Sequence, residues 1–79
     1  MPLLLAIDLG TTGCRAAVYD ENGQCLGDSY REYGLITRSA SEIEQDAEMW
    51  WQLTCIVVRA ALERSGGDRR SVRALAVSS

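Results

Sequence analysis

Two apolar runs separated by Gly10-Thr11-Thr12-Gly13 constrain this chain more than any other feature. Residues 3–9 read Leu-Leu-Leu-Ala-Ile-Asp-Leu, a nearly continuous apolar stretch interrupted only at Asp8. A run of this length suits a strand buried on both faces. Gly10 and Gly13 give the backbone room to turn, and Thr11 and Thr12 put two hydroxyls between them. Such a turn can hold a polyphosphate. Its backbone N–H groups and hydroxyls can converge on phosphate oxygens, and the Asp8 carboxylate can hold the accompanying magnesium, directly or through water. The competing reading is a hairpin whose glycines and threonines serve the fold alone.

The residues beyond the turn decide which phosphate motif this can be. Residues 14–19 form a second strand pattern, with Arg15 near its start. A helix opening on GK[ST] would mark a Walker loop, and a helix opening on GxGxxG would mark a dinucleotide fold; neither is present. Asp20-Glu21-Asn22-Gly23 is a turn signal, read as a type I′ hairpin centred on Asn22-Gly23. Residues 24–33 then make a third strand, with Tyr30 and Tyr33 as its late anchors. The first three strands form a meander. Residues 34–44 have no period and read as a loop.

Asp46 is a good N-cap for the one long helix, and Glu48 complements the positive end of its dipole. The helix is predicted to run to Arg64 or Ser65 and to stop at Gly66-Gly67. At 100° per residue, Glu48, Gln52, Arg59 and Glu63 form one narrow polar stripe. Most of the remaining circumference is apolar, so the helix is expected to contact more than one sheet face. Trp50 and Trp51 are read as core. Residues 71–79 form a fourth strand that runs to the last residue. That predicts an N-terminal piece of a longer protein, residues 1–79 being part of one domain. Exposed apolar helix surface and an open sheet edge predict that the piece self-associates.

Bulk properties narrow the function. Net charge is −3, which argues against a nucleic-acid partner. The Arg69, Arg70 and Arg73 cluster sits beside Asp68 and reads as a solvated loop. Residues 1–5 are too short for a signal peptide or membrane span, so the chain reads as cytoplasmic with no membrane partner. Three cysteines without CxxC spacing, and no histidine, argue against a zinc site or a disulfide framework, and the lack of histidine removes Ser–His or Cys–His catalysis from this stretch. With the hairpin centred on Asn22-Gly23, Cys25 faces Asp20 rather than Cys14. Three free thiols are expected.

Three separated features together resemble the FGGY family of carbohydrate kinases. The first is Ala6-Ile7-Asp8-Leu9-Gly10-Thr11-Thr12 with Arg15 beyond the turn. The second is Glu44-Gln45-Asp46-Ala47-Glu48-Met49-Trp50-Trp51, similar to the acidic–Asp–Pro–x–x–Trp segment that opens the first long helix in these kinases, with Ala47 in place of the frequent proline. The third is residues 72–79, similar to the strand before the substrate-contacting loop. Trp50-Trp51-Gln52 looks xylulokinase-like, Trp51 to Cys55 with Ala74 to Ser79 ending in Ser-Ser looks autoinducer-2-kinase-like, and the Ser-Ser ending leans away from glycerol kinases. The resemblance implies an α/β, ribonuclease-H-like (actin-like ATPase) fold, here its N-terminal part only: a meander of three strands, one long helix, then a fourth strand.

The implied activity is transfer of the γ-phosphoryl of ATP to a sugar or polyol hydroxyl. The resemblance places Asp8 near the magnesium, and Gly10, Thr11 and Thr12 around the β- and γ-phosphates. It gives Arg15 an approach to the phosphates; the plainer reading is an exposed strand arginine. Glu44 and Asp46 are read as a loop anchor and a helix cap. The catalytic base, the second phosphate segment and the adenosine pocket would all lie downstream, so this piece alone is expected to be inactive. The alternatives are an actin-like ATPase that is not a sugar kinase, or a non-catalytic interaction module.

Overall fold

A computed structural model describes residues 2–32 and 47–79. The chain runs β1 (Leu3–Leu9), β2 (Gly13–Tyr19), β3 (Cys25–Glu32), α1 (Ala47–Ser65), a 3-10 turn (Arg69–Ser71) and β4 (Val72–Ser78). The strands form one sheet in the order β3-β2-β1-β4. β1, β2 and β3 pair antiparallel as a meander, and α1 carries the chain across so that β4 lies parallel to β1. The expected loop over 34–44, Tyr33, Glu44 and Asp46 lie outside the described residues.

The β2–β3 turn uses three residues, not two. Asp20 donates its amide to the Gln24 carbonyl at 3.0 Å and accepts the Gly23 amide at 3.0 Å. Its side-chain Oδ1 takes the amides of Asn22 and Gln24, both at 2.9 Å. Gly23 carries the left-handed conformation, at φ 83°. This is the loop in which a turn is followed by a bulge. The ladder shifts at Tyr19, with Val18 opposite Gly27 and Tyr19 opposite Cys25, so Leu26 is the extra residue. Cys25 therefore faces Tyr19 and not Asp20. All three cysteines are free as expected.

The helix lies on one face of the sheet. Val57 and Ala61 are fully buried against Cys14, Ala16 and Val18, with Leu3 and Leu5 completing the core. Burying a valine side chain is worth about 1.5–3 kcal/mol, so Val18 and Val57 are large contributors to a small core. Burial also pushes the Cys14 thiol up, only partly offset by a hydrogen bond with Thr54, which keeps it protonated and unreactive. The predicted polar stripe is right: Glu48, Gln52, Arg59 and Glu63 are all exposed. α1 packs on β2 and β3, leaving Ile56 40% and Trp51 65% exposed. Trp50 and Trp51, read from sequence as core, are exposed here, since no second layer among the described residues covers them.

The same one-sided packing corrects the reading of β1. Leu3 and Leu5 point to the helix and are buried, whereas Leu4 on the opposite face is 36% exposed. An apolar run permits burial on both faces but cannot supply the second cover. The helix ends where expected: Gly66, at φ 72°, donates its amide to the Glu63 carbonyl at 3.2 Å. The basic cluster divides. Asp68 accepts the Arg70 amide at 2.9 Å and caps the 3-10 turn, while Arg73 sits exposed in β4.

One glycine sets how close the helix can come. A Cβ on Gly27 would lie 2.6 Å from the Ser65 nitrogen and 2.7 Å from the Ala61 carbonyl oxygen. Both are backbone atoms, so no side-chain rotation relieves the clash. Arg64 reinforces the contact by donating to the Asp28 carbonyl at 2.7 Å. Gly27→Ala is expected to destabilise the fold by roughly 1–3 kcal/mol through forced separation of α1 from β3. Urea unfolding monitored by circular dichroism measures it; an unchanged midpoint would contradict the close packing.

Candidate functional site

The turn between β1 and β2 is pinned by its own backbone. Gly10 donates its amide to the Gly13 carbonyl at 2.9 Å. That spends one of the amides expected to face a phosphate. The amides of Thr11 and Thr12 donate to nothing among the described residues, and both residues are exposed. The Thr12 hydroxyl stands 3.4 Å from the Tyr30 hydroxyl, a long contact. The turn therefore offers two free N–H groups and the Thr11 hydroxyl to an incoming anion.

Asp8 stands at the end of β1 on the sheet face away from the helix. Register sets its neighbours. Arg15 is its partner on β2, and Ser78 its partner on β4. The Ser78 hydroxyl donates to Asp8 Oδ1 at 2.9 Å. The other carboxylate oxygen takes no hydrogen bond among the described residues. Magnesium keeps several waters and takes one or two carboxylates together with phosphate oxygens. One exposed carboxylate with a free oxygen, next to unpaired turn amides, fits that demand. No cluster of three potential metal ligands of the His, Cys, Asp or Glu type occurs among the described residues, so the arrangement does not suit an all-protein metal cage.

Arg15 lies on the same face as Asp8, but its guanidinium is turned toward β3. Its Nη1 donates to the Asp28 carboxylate at 2.6 Å, and its Cζ sits 5.2 Å from the centroid of the Tyr30 ring. About half of each charged side chain remains solvent-exposed. The residues expected from sequence thus fall into two groups. Asp8, Gly10, Thr11 and Thr12 come together at the strand end, and Arg15 is beside them with its charge engaged elsewhere.

Three further neighbours escape a reading of the sequence. Ser78 reaches Asp8 only through the parallel pairing of strands 70 residues apart in the chain. Asp28 and Tyr30 come onto the Arg15 face through a register that depends on the Leu26 bulge. Alternation along β3 is the available signal, and the bulge shifts it by one.

Two shallow depressions flank the site. On the face away from the helix, Asp8, Arg15, Tyr19 and Ser78 rim a floor of Ala6, Ala17 and Ala76, with a volume of about 330 Å³. On the helix side, a larger apolar groove of about 780 Å³ runs from Gly10 and Thr11 past Trp50 and Trp51 to Leu75 and Val77. Among the described residues no helix is long and apolar enough to cross a membrane.

Comparison with known proteins agrees with this geometry. The sequence profile of the FGGY family of carbohydrate kinases, N-terminal domain, matches residues 3–79. The glycerol kinase of Marinomonas sp. (strain MWYL1) is 35% identical over 75 residues, covering 95% of this chain and 15% of that protein. That of Gloeobacter violaceus is 46% identical over 55 residues, covering 70% of this chain and 11% of its own length. That of Acinetobacter baylyi is 35% identical over 78 residues, covering 99% and 16%. The chain thus spans about 15% of the length of these curated relatives. These relatives carry the name glycerol kinase. The meander, crossover helix and parallel fourth strand are those of the ribonuclease-H-like (actin-like ATPase) fold. By profile, relatives and architecture together, this chain belongs to the FGGY family of carbohydrate kinases, its residues 3–79 matching the family's N-terminal domain.

Proposed function

We propose that the chain is the N-terminal phosphate-binding piece of a cytoplasmic, ATP-dependent kinase that phosphorylates a sugar or polyol. The observation that carries the reading is the end of β1. There, among the described residues, Asp8 keeps a free carboxylate oxygen and the Thr11 and Thr12 amides have no partner. Asp8 would hold magnesium, and Gly10, Thr11 and Thr12 would enclose the β- and γ-phosphates. When bound, magnesium would offset negative charge on the phosphate oxygens. The reaction forms a bond between the substrate oxygen and the γ-phosphorus and breaks the bond to the bridging oxygen of ADP. The substrate proton passes to a base expected downstream of Ser79.

Phosphoryl transfer relies on positioning and charge stabilisation by several parts at once, so this piece alone is proposed to be inactive. Arg15 enters the proposal differently from the others. A direct phosphate contact would require its guanidinium to exchange the Asp28 carboxylate for phosphate. The glycerol kinase relatives support a small polyol as the first substrate to test.

In the full-length enzyme, assayed for ATP-dependent phosphorylation over a panel of sugars and polyols, Asp8→Ala is expected to lower turnover roughly a hundredfold or more with little change in thermal stability. Near-normal turnover would refute the role. The isolated chain is proposed to self-associate through β4. Among the described residues the outer edge of β4 is unpaired, and Leu75 and Val77 are 60% and 57% exposed. Antiparallel pairing of two copies centred on Leu75 would set Arg73 against Val77, so no like charges meet. Sedimentation is expected to show dimers or larger species. A clean monomer would contradict this.

A further inference from the structure

We propose that Tyr30, held by Arg15 and Asp28, is a positioning residue that braces the Thr12-Gly13 half of the phosphate turn. The inference rests on the reading of that turn given above. Four contacts support it. A Cβ on Gly13 would fall 2.5 Å from the Tyr30 hydroxyl oxygen and 2.7 Å from its Cζ, and also 2.5 Å from the Arg31 carbonyl oxygen, so the ring and the β3 backbone together occupy the space a side chain would need. The Tyr30 hydroxyl stands 3.4 Å from the Thr12 hydroxyl. The Arg15 guanidinium lies over the Tyr30 ring at 5.2 Å. Asp28 fixes that guanidinium with a 2.6 Å ion pair.

Asp28 is itself anchored from the other side of the sheet. Its carbonyl accepts from Arg64 at the end of α1 at 2.7 Å. A path of direct contacts therefore runs from the helix end through Asp28, Arg15 and Tyr30 to the turn. The ring against Gly13 carries more of the brace than the long hydroxyl contact, because close packing transmits position whereas a 3.4 Å contact barely constrains it. Arg15 then acts on the turn through the ring it covers, and its charge need not reach the phosphate.

The two roles for Arg15 predict opposite signs at Asp28. If Arg15 is a brace, Asp28→Asn loosens it and weakens nucleotide binding. If Arg15 is a phosphate ligand restrained by Asp28, the same change frees it and tightens binding. The test uses the full-length protein, with the dissociation constant of magnesium AMP-PNP measured by calorimetry. The order of the Thr12 methyl group is measured by NMR in nucleotide-free protein.

Tyr30→Leu is expected to raise the dissociation constant roughly three- to tenfold and to lower Thr12 methyl order. Asp28→Asn should move both in the same directions by less. Tyr30→Phe should keep most of the wild-type behaviour, because the ring remains. Tighter binding in Asp28→Asn, or unchanged binding and methyl order in Tyr30→Leu, would overturn the brace. Nucleotide that binds the wild-type protein without shifting the Thr12 methyl resonance would overturn the underlying site as well. A shifted Thr12 resonance with an inert Tyr30→Leu would overturn the brace alone.

Discussion

β1 is hydrogen-bonded along both edges, antiparallel to β2 and parallel to β4, and the place of Asp8 depends on the register of those two ladders. Asp8 faces Arg15 on one side and Ser78 on the other because the pairings fix it there. Side chains alternate between the two faces of a sheet. A slip of one residue would carry Asp8 to the helix side and bring Leu9 and Ile7 out. The alternation of Leu3, Leu5, Ile7 and Leu9 toward the core opposes such a slip. The same apolar residues that build the core therefore hold the carboxylate on the open face.

The helix secures this arrangement from a distance. Among the described residues it packs mainly on β2 and β3, and it comes close because Gly27 has no side chain. Its last turn also grips the Asp28 carbonyl through Arg64. Asp28 thus joins the two faces of the sheet: its main chain is tied to α1, and its carboxylate to Arg15 on the opposite side. Position set in the packed layer is passed to the open face at this one residue. The β1–β4 half of the sheet has no such cover among the described residues, and its apolar groove begins at the turn itself.

Much of the fold can be read from the sequence because its punctuation is local. Gly23 and Gly66 both take positive φ where turns are expected, and the strand and helix bounds fall within a residue or two of the expectation. The features that cannot be read depend on partners far along the chain. One extra residue at Leu26 changes the partner of Cys25, and a two-residue and a three-residue turn are equally compatible with Asn22-Gly23. The apolar circumference of α1 indicates how much surface can be buried, not what buries it, which is why the pattern misplaces Trp51. At the site, Asp8 and the Gly/Thr turn are contiguous and therefore legible. The Ser78 and Asp28 contacts are products of strand pairing, which no local pattern encodes.

The site comes down to two backbone N–H groups left free at a strand end beside a half-free carboxylate. In the full-length enzyme, amide hydrogen exchange at Thr11 and Thr12 tests this most directly, compared with and without magnesium AMP-PNP. Fast exchange is predicted at both positions in the free protein, with marked slowing at both when nucleotide is bound. Equal exchange rates in the two states, with nucleotide shown to be bound, would contradict it.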